Sequence, residues 1–187
     1  TGFRMNVDGR KGSSFNNVGI LANDSMYVFV EVTVDPNGGN QPLLIQDSVL
    51  FTVNGIRQSV LLEAYGQDVN LYKGGVTITK DSILTANRPY LIYDSLVIAK
   101  GVSLNIEKGA TFYMHDKASL IVHGSMNALG TLDEPITFRG DRLDYILNDI
   151  LPYDRTPGQW GGITFKADSY GNVWDNVIVR NGTSGVY

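Results

Sequence analysis

The chain of 187 residues has room for one domain of ordinary size or two small ones, and its 43% of hydrophobic residues argues against wholesale disorder. A net charge of −4, with no local run of basic residues, gives no general attraction to nucleic acids or to anionic membranes. The absence of cysteine excludes a disulfide framework, a thiol nucleophile and a cysteine-based zinc site.

Short strands separated by turn signals fill residues 1–70. The strongest, at 26–34, places apolar side chains at its even positions and therefore on one face. Asn54-Gly55 is a strong signal for a two-residue hairpin turn, so the strands on either side of it are expected to pair antiparallel. The strands predicted in this region lie at 3–7, 18–21, 26–34, 48–53 and 59–65.

The run from Phe3 through YVFVEVTVDP to VLLEAYG resembles the later strands of an immunoglobulin-like domain of the abnormal-spindle/hydin type. In that family, a strand of the form V-x-V-x-V-x-P is followed by a hairpin that ends near a glycine. Such domains carry further strands before the one that matches Phe3. The resemblance therefore implies a partial β-sandwich over 1–70, with exposed sheet edges.

Residues 71–187 are expected to form a separate domain, reached through a linker at 67–75. Short strands are predicted at 76–79, 83–85 and 90–93. We interpret 76–93 as an irregular capping coil, because the terminal repeat of a solenoid must present a polar outer face.

Residues 96–138 contain two circuits of one pattern, in which a strand, a glycine corner, a second strand and a third strand follow one another. Leu120 repeats the position of Leu96 one circuit later, and Phe138 repeats that of Phe112 after a circuit of similar length. Such a period predicts a solenoid of parallel strands with a spacing of about 4.8 Å. The predicted inward positions are Leu96, Ile98, Leu104, Ile106, Phe112 and Met114, with Leu120, Val122, Met126, Ala128, Ile136 and Phe138 stacked on them.

An insertion at 139–158 interrupts this period. Apolar residues at helical spacing within 143–151 predict a short helix that Pro152 ends. When the insertion is left out, the interval from Leu120 to Ile163 matches the length of a regular circuit. The strand after the insertion is therefore expected to stack on Leu120, and Val177 on Ile136, although Ile163-Thr164-Phe165 copies Ile136-Thr137-Phe138.

The circuits, together with Gly-Gln-Trp-Gly-Gly-Ile at 158–163, resemble the right-handed parallel β-helices of exported Bacteroidetes surface proteins. The family pattern is L-x-V-x-G, then P-I-x-F, then G-x-W-x-G-I, and many members are lipid-anchored. The resemblance implies an all-β chain whose partial sandwich precedes a short β-helix of about three to four coils with one helical insertion. It also implies export to the cell envelope or outer surface, and no particular reaction.

Both ends of the sequence carry an expectation. The chain opens on Thr-Gly-Phe, as a mature product or an excised fragment would, and it stops within a circuit. A parallel ladder ending there would expose unpaired backbone groups. We therefore expect either further circuits beyond Tyr187 or end-to-end self-association through the open end of the β-helix.

The richest chemical cluster lies in the insertion and its flank. Carboxylates mixed with aromatic rings are typical of sugar-binding surfaces, and parallel β-helices also host polysaccharide lyases and hydrolases that use paired acids, or an acid with a base. The competing interpretation is a helix that caps the solenoid and leaves its acids in solvent. The candidate ligand-binding residues are Asp141, Tyr145, Tyr153, Asp154, Arg155 and Trp160.

No residue pattern predicts a catalytic centre, a metal site or a cofactor. The spacing of His115 and His123, the only histidines, fits no metal motif, and we interpret them as solvated surface residues. The acid spacing of a calcium loop is absent, so a calcium ion held by Asp141 and Asp144 has no support. Nucleophile elbows, metalloprotease helices and phosphate loops are also absent.

The sequence favours a non-catalytic module of the cell envelope or surface that serves as a scaffold for binding or adhesion. A glycan or another surface protein is the expected partner, nucleic acid is not, and no apolar run reaches the length of a transmembrane helix. The alternative is a fragment of a β-helix lyase or hydrolase that acts on polysaccharide. A pure spacer or assembly element is the third interpretation.

Overall fold

The computed structural model describes residues 2–34, 43–143 and 153–187. The chain divides into two compact units, Thr1–Asp68 and Val69–Tyr187. Apart from one 3₁₀ helix at Tyr153–Arg155, the regular elements of the described residues are all β-strands. The helix predicted within 143–151 lies outside the described residues, except for Leu143.

The first unit contains two antiparallel sheets. β1 lies between β2 and β3 in one of them, and β4 pairs with β5 in the other. Asn54 and Gly55 have φ values of 50° and 78°, as the tight turn of a two-residue hairpin requires, so the predicted hairpin is confirmed. The strands are β1 (Phe3–Val7), β2 (Arg10–Gly12), β3 (Val28–Val32), β4 (Leu43–Val53) and β5 (Ile56–Gly66).

The strand predicted at 18–21 does not form. Gly19 lies within this short segment, and Asn17 and Asn23 on either side of it adopt left-handed conformations with φ values of 55° and 61°. Its apolar side chains Ile20 and Leu21 are exposed. An isolated segment of this length gains neither ladder hydrogen bonds nor burial, so its β-branched composition does not suffice.

The second unit consists of three parallel sheets, an arrangement that fits a β-helix or solenoid. Successive strands of the chain pass from one sheet to the next, so each circuit adds one strand to each sheet. The strands are β6 (Asn70–Tyr72), β7 (Val76–Ile78), β8 (Ser82–Leu84), β9 (Tyr90–Ile92), β10 (Ser95–Ile98), β11 (Ser103–Ile106), β12 (Thr111–Met114), β13 (Ser119–Val122), β14 (Ser125–Leu129), β15 (Ile136–Gly140), β16 (Gly162–Phe165), β17 (Val173–Asp175) and β18 (Val177–Val179).

We call these the first, second and third sheets. The first has the order β16-β13-β10-β7, the second β17-β14-β11-β8, and the third β18-β15-β12-β9-β6. Leu120 pairs with Ile163 and Ile136 pairs with Val177, so the register predicted across the insertion is confirmed. The insertion begins later than the predicted residue 139, because Arg139 and Gly140 belong to β15 and pair with Tyr113 and Met114. The chain leaves the third sheet after Gly140 and returns to the first sheet at Gly162 without a shift in register.

The predicted linker at 67–75 contains a strand, which corrects the sequence interpretation. β6 pairs in parallel with β9, and the Asn70 backbone N–H donates to the Pro89 carbonyl oxygen at 2.8 Å. The Asn70 side-chain amide also donates to the Arg88 carbonyl oxygen at 3.1 Å. β7, β8 and β9 are equally short, but each contains a β-branched residue, whereas Asn70-Leu71-Tyr72 contains none, so the sequence does not predict β6.

The core of the second unit is a set of inward columns. All twelve residues predicted to point inward are at most 5% exposed. Tyr90, Phe112 and Phe138 stack along one column, with ring centroids 4.9 and 4.5 Å apart and interplanar angles of 15° and 13°. Gly124 serves a corner between sheets, because a Cβ atom there would lie 2.0 Å from the Val102 carbonyl oxygen.

Replacing Phe112 with alanine tests this core. The ring is fully buried between two aromatic neighbours, so Phe112→Ala should lower the free energy of unfolding by about 3–5 kcal/mol in denaturant titrations. Ile83→Ala is the control, because Ile83 lies on a strand of the same unit but is 63% exposed, and should cost less than about 1 kcal/mol. Equal losses would show that the inward column is not what holds the sheets together.

Candidate functional site

A column of outward side chains runs along the third sheet. Successive side chains of a strand alternate between its faces, so burial of Tyr90, Phe112 and Phe138 turns the residue after each of them outward. Parallel pairing aligns these outward residues from strand to strand. The backbone N–H of Arg180 donates to the Phe138 carbonyl oxygen at 3.0 Å and extends the ladder by one circuit. The outer column comprises Leu71, Leu91, Tyr113, Arg139 and Arg180.

A second column lies two positions further along each strand, where the chain leaves the third sheet. The Lys73 ammonium lies 5.5 Å from the ring centroid of Tyr93, and that ring lies 4.1 Å from the imidazole of His115. His115 Nδ1 is 2.6 Å from Oδ2 of Asp141. We call Lys73, Tyr93, His115 and Asp141 the corner column. The first three of these side chains each contact the one in the next circuit.

The Asp154 carboxylate is held between two arginines. Both of its oxygens accept from Arg180 Nη1, at 3.0 and 2.9 Å, and Oδ1 also lies 3.1 Å from Arg139 Nη2. Arg139 and Arg180 occupy successive positions of the outer column, so the sheet brings two like charges together. Asp154 lies on the 3₁₀ helix and ties the end of the insertion to this face.

Two polar side chains fasten the return of the insertion. Asn181 is 8% exposed, and its amide donates to the carbonyl oxygens of Asp154 at 2.7 Å and Thr156 at 3.1 Å. Its Oδ1 accepts from the Gly140 N–H at 3.2 Å. The side-chain amide of Gln159 donates to the Thr156 carbonyl oxygen at 2.8 Å. These bonds satisfy backbone groups that the insertion removes from the ladder.

The predicted site residues take different places in the structure. Tyr153, Asp154 and Arg155 lie together on the 3₁₀ helix, where the Arg142 guanidinium carbon is 3.8 Å from the ring centroid of Tyr153. Arg155 is exposed. Asp141 belongs to the corner column. Tyr145 is outside the described residues.

Trp160 is a core residue. It is 1% exposed, and its indole N–H donates to the Arg180 carbonyl oxygen at 2.8 Å. A ligand on the surface has no access to its ring, so its contribution is to hold the strand that follows the insertion. The sequence pattern around Trp160 does not distinguish a buried indole from a ligand-facing one.

The sequence analysis assigns no functional role to four residues of this region: Arg139, Arg180, Asn181 and His115. The repeat period could have predicted that His115 lies beside Asp141, because Asp141 follows His115 at the same interval at which Phe138 follows Phe112. The interpretation of both histidines as solvated surface residues is incomplete, because each pairs with a carboxylate of a later circuit. His123 Nδ1 lies 3.0 Å from Oδ1 of Asp168.

The Asp168 carboxyl has a shifted pKa. Burial raises the pKa of Asp168, but the hydrogen bond with His123, a backbone hydrogen bond and the charges of His123 and Lys100 outweigh it, so the pKa lies below its ordinary value of 3.8. The Lys100 ammonium lies 4.0 Å from Oδ2 of Asp168. Within the described parts of the chain, no group of three or more histidine or acidic side chains could hold a metal ion.

Comparisons with known proteins identify one partial similarity. An alignment over 104 residues, which covers 53% of this chain and 3% of Protein bark beetle of Drosophila melanogaster, shows 31% identity. No protein-family model and no solved structure matches the chain. In the part of the chain that the structure describes, no helix is long and apolar enough to cross a membrane.

Asn181 can be tested without disturbing its backbone conformation. Its φ is 66°, which glycine also adopts, so Asn181→Gly removes only the side-chain amide. We expect a loss of about 1–3 kcal/mol in the free energy of unfolding and faster proteolysis near residues 153–158, because buried backbone groups lose their partners. Asn176→Gly is the matched control, with φ of 47° and a single 3.4 Å bond to the Gly130 carbonyl oxygen besides one to its neighbour. Equal effects of the two variants would contradict this role.

The lowered pKa of Asp168 predicts part of the acid sensitivity. The unfolded carboxyl has the higher pKa, so the stabilisation is present above pH about 4 and is lost as the pH falls through the lowered folded value. Between about pH 5 and pH 2 the Tm of Asp168→Asn should therefore fall less than that of the wild type. Asp116→Asn, which removes a more exposed carboxylate, should follow the wild type. The prediction would be refuted if Tm fell equally steeply with decreasing pH in all three proteins.

Proposed function

We propose that the chain is a non-catalytic binding or adhesion module of the cell envelope or outer surface, with a glycan as the ligand. The observation that carries this proposal is the outer face of the third sheet, where the outer column aligns apolar, aromatic and cationic side chains in one line. Aromatic and apolar groups pack against the faces of sugar rings, while arginines supply fixed donors to polar substituents. A rigid parallel sheet holds these groups at regular intervals.

The engagement of the acidic residues favours binding over hydrolysis. A glycosidase needs two carboxyl groups across the scissile bond, one that donates a proton and one that acts as nucleophile or base. Asp154 has its oxygens occupied by Arg139 and Arg180, and Asp141 is paired with His115. Neither carboxylate stands open to a substrate in the way that this chemistry requires.

The finer features of the fold are part of the same proposal. We expect the stack to be a right-handed β-helix of about three to four coils, since parallel crossovers are right-handed in about 98% of cases. We also expect the first unit to be part of an immunoglobulin-like sandwich. Val53 and Ile56 at the tip of its hairpin are exposed, and a second sheet layer would cover such side chains. Surface localisation rests on the resemblance to exported Bacteroidetes proteins.

An enzyme fragment that acts on polysaccharide is the second candidate. The pair of His115 and Asp141 favours it, because a carboxylate that orients Nδ1 leaves Nε2 of an imidazole for proton transfer. Incubation with acidic and neutral polysaccharides, followed by assays for reducing ends and unsaturated uronates, separates the two functions. The binding proposal predicts no product, whereas product formation that His115→Gln abolishes would establish the enzyme.

A glycan array with two tyrosine variants tests the proposed function. Tyr113→Ala removes the aromatic ring of the outer column and should weaken binding about three- to tenfold, the range expected from one aromatic contact. Tyr170→Ala is the matched control, because Tyr170 is 80% exposed and lies outside both columns. It should bind as the wild type does. Failure of the wild type to bind any glycan, or equal weakening by both substitutions, would contradict the proposal.

A further inference from the structure

Two arginines, Arg139 and Arg180, lie at one end of the outer column and share a single carboxylate among the described residues. Arg139 and Arg180 lie on neighbouring circuits, whose backbones are about 4.8 Å apart. Among the described residues, the only carboxylate within ion-pair distance of either guanidinium is that of Asp154. Among the described residues, the cluster of Arg139, Arg180 and Asp154 therefore carries a net charge of one positive unit.

Both guanidinium groups retain donors without partners in the described parts of the chain. The side chain of Arg139 is only 20% exposed, and its Nε is buried without a hydrogen-bond acceptor. Arg180 is 45% exposed and contacts Asp154 through Nη1 alone, which leaves Nη2 and Nε to donate. The Arg139 Nε is too buried for a surface ligand to reach, but Nη2 and Nε of the half-exposed Arg180 can donate charge-assisted hydrogen bonds to an added oxyanion.

We propose that Arg139 and Arg180 form an anion subsite that binds a carboxylate or sulfate group of an acidic glycan, whose neighbouring sugar rings lie against Tyr113. This inference rests on the proposed glycan-binding function and names the ligand class. Asp154 has a positioning role in it: its carboxylate holds both guanidinium groups on the face and keeps their planes from separating under mutual repulsion.

The order of side chains along the column favours a glycan over a nucleic acid. The column is cationic only at Arg139 and Arg180 and continues as Tyr113, Leu91 and Leu71. A nucleic acid carries a phosphate at every nucleotide and would meet no further cation along this line, while the net charge of −4 would repel it. A sugar chain places its acidic group on the arginines and the apolar faces of its rings on the tyrosine and leucines.

A peptide fits the same face less well. An extended peptide binds a sheet by adding to an open edge, where its backbone groups find partners. The backbone N–H and C=O groups of β12 and β15 are instead paired with the strands on either side of them. Sugar hydroxyls can remain in water while the rings pack on the face, so they do not need those backbone partners.

Calorimetric titration with matched oligosaccharides tests the proposal. The ligands are an oligogalacturonate, a sulfated oligogalactose, a neutral oligogalactose of the same length, inorganic sulfate alone and a single-stranded DNA oligomer. The wild type should bind at least one acidic oligosaccharide about tenfold more tightly than the neutral one, a difference that one charge-assisted contact supplies. Arg180→Gln should abolish this preference, and Arg180→Lys, which keeps the charge but loses the planar fork, should retain part of it.

The matched control is Lys166→Gln. It removes the same charge from an exposed residue that follows β16 in the first sheet, and it should keep the full preference. Thermal unfolding of each variant shows whether it is folded. The Arg180 variants are expected to fold, because the hydrogen bond from the Trp160 indole goes to the backbone oxygen of Arg180 and does not depend on its side chain.

The possible outcomes separate this inference from the proposed function. Equal affinity for acidic and neutral oligosaccharides would overturn the anion subsite and leave glycan binding intact. Binding of no oligosaccharide at all would overturn both. Binding of sulfate alone with no gain from the attached sugar, or tighter binding of a single-stranded DNA oligomer, would overturn the choice of ligand.

Discussion

Parallel register in the second unit is the constraint on which the rest of its structure depends. Each strand buries alternate side chains, so a slip of one position would turn a buried column such as Tyr90, Phe112 and Phe138 into solvent. The cost of that exposure fixes the register at every circuit. The same register aligns the outward residues between the buried ones, and Tyr113 and Arg139 therefore become neighbours although a whole circuit of the chain separates them. The candidate binding face is thus a geometric consequence of the core.

The register of the strands is the same before and after the insertion, which shows that the core determines the alignment. The chain leaves the ladder after Gly140 and re-enters it at Gly162, yet Ile163 stacks on Leu120 as a regular circuit would. Asn181 and Trp160 contribute by fastening the return, each through hydrogen bonds to backbone groups. Asp154 adds an ionic tie to Arg139 and Arg180. Polar contacts of this kind hold the insertion to the stack and place its charged end on the outer face.

Much of the second unit could be predicted from the sequence, because a repeated apolar pattern predicts both the positions of the strands and which strands pair. The register across the insertion followed from the lengths of the circuits. The strand at Asn70–Tyr72 escapes prediction because it contains no β-branched residue. Residues 18–21 have β-branched residues but find no partner strand, so their propensity predicts a strand that does not form. Composition drew attention to Asp154, but its partner Arg180 lies far along the chain and is found only by stacking the circuits. The burial of Trp160 had no sequence signal.

Cross-linking across the insertion tests the stacking register most directly. Ile121 and Thr164 face outward on neighbouring strands of the first sheet, and their Cα separation should fall within the range that a disulfide spans. The chain has no cysteine of its own, so the introduced pair can be assigned without ambiguity. Mild oxidation should cross-link Ile121→Cys with Thr164→Cys and leave the pair Thr137→Cys with Thr164→Cys reduced. Cross-linking of the second pair alone would mean that the strand after the insertion stacks on Ile136–Gly140, and the account of the outer column and the corner column would then be wrong.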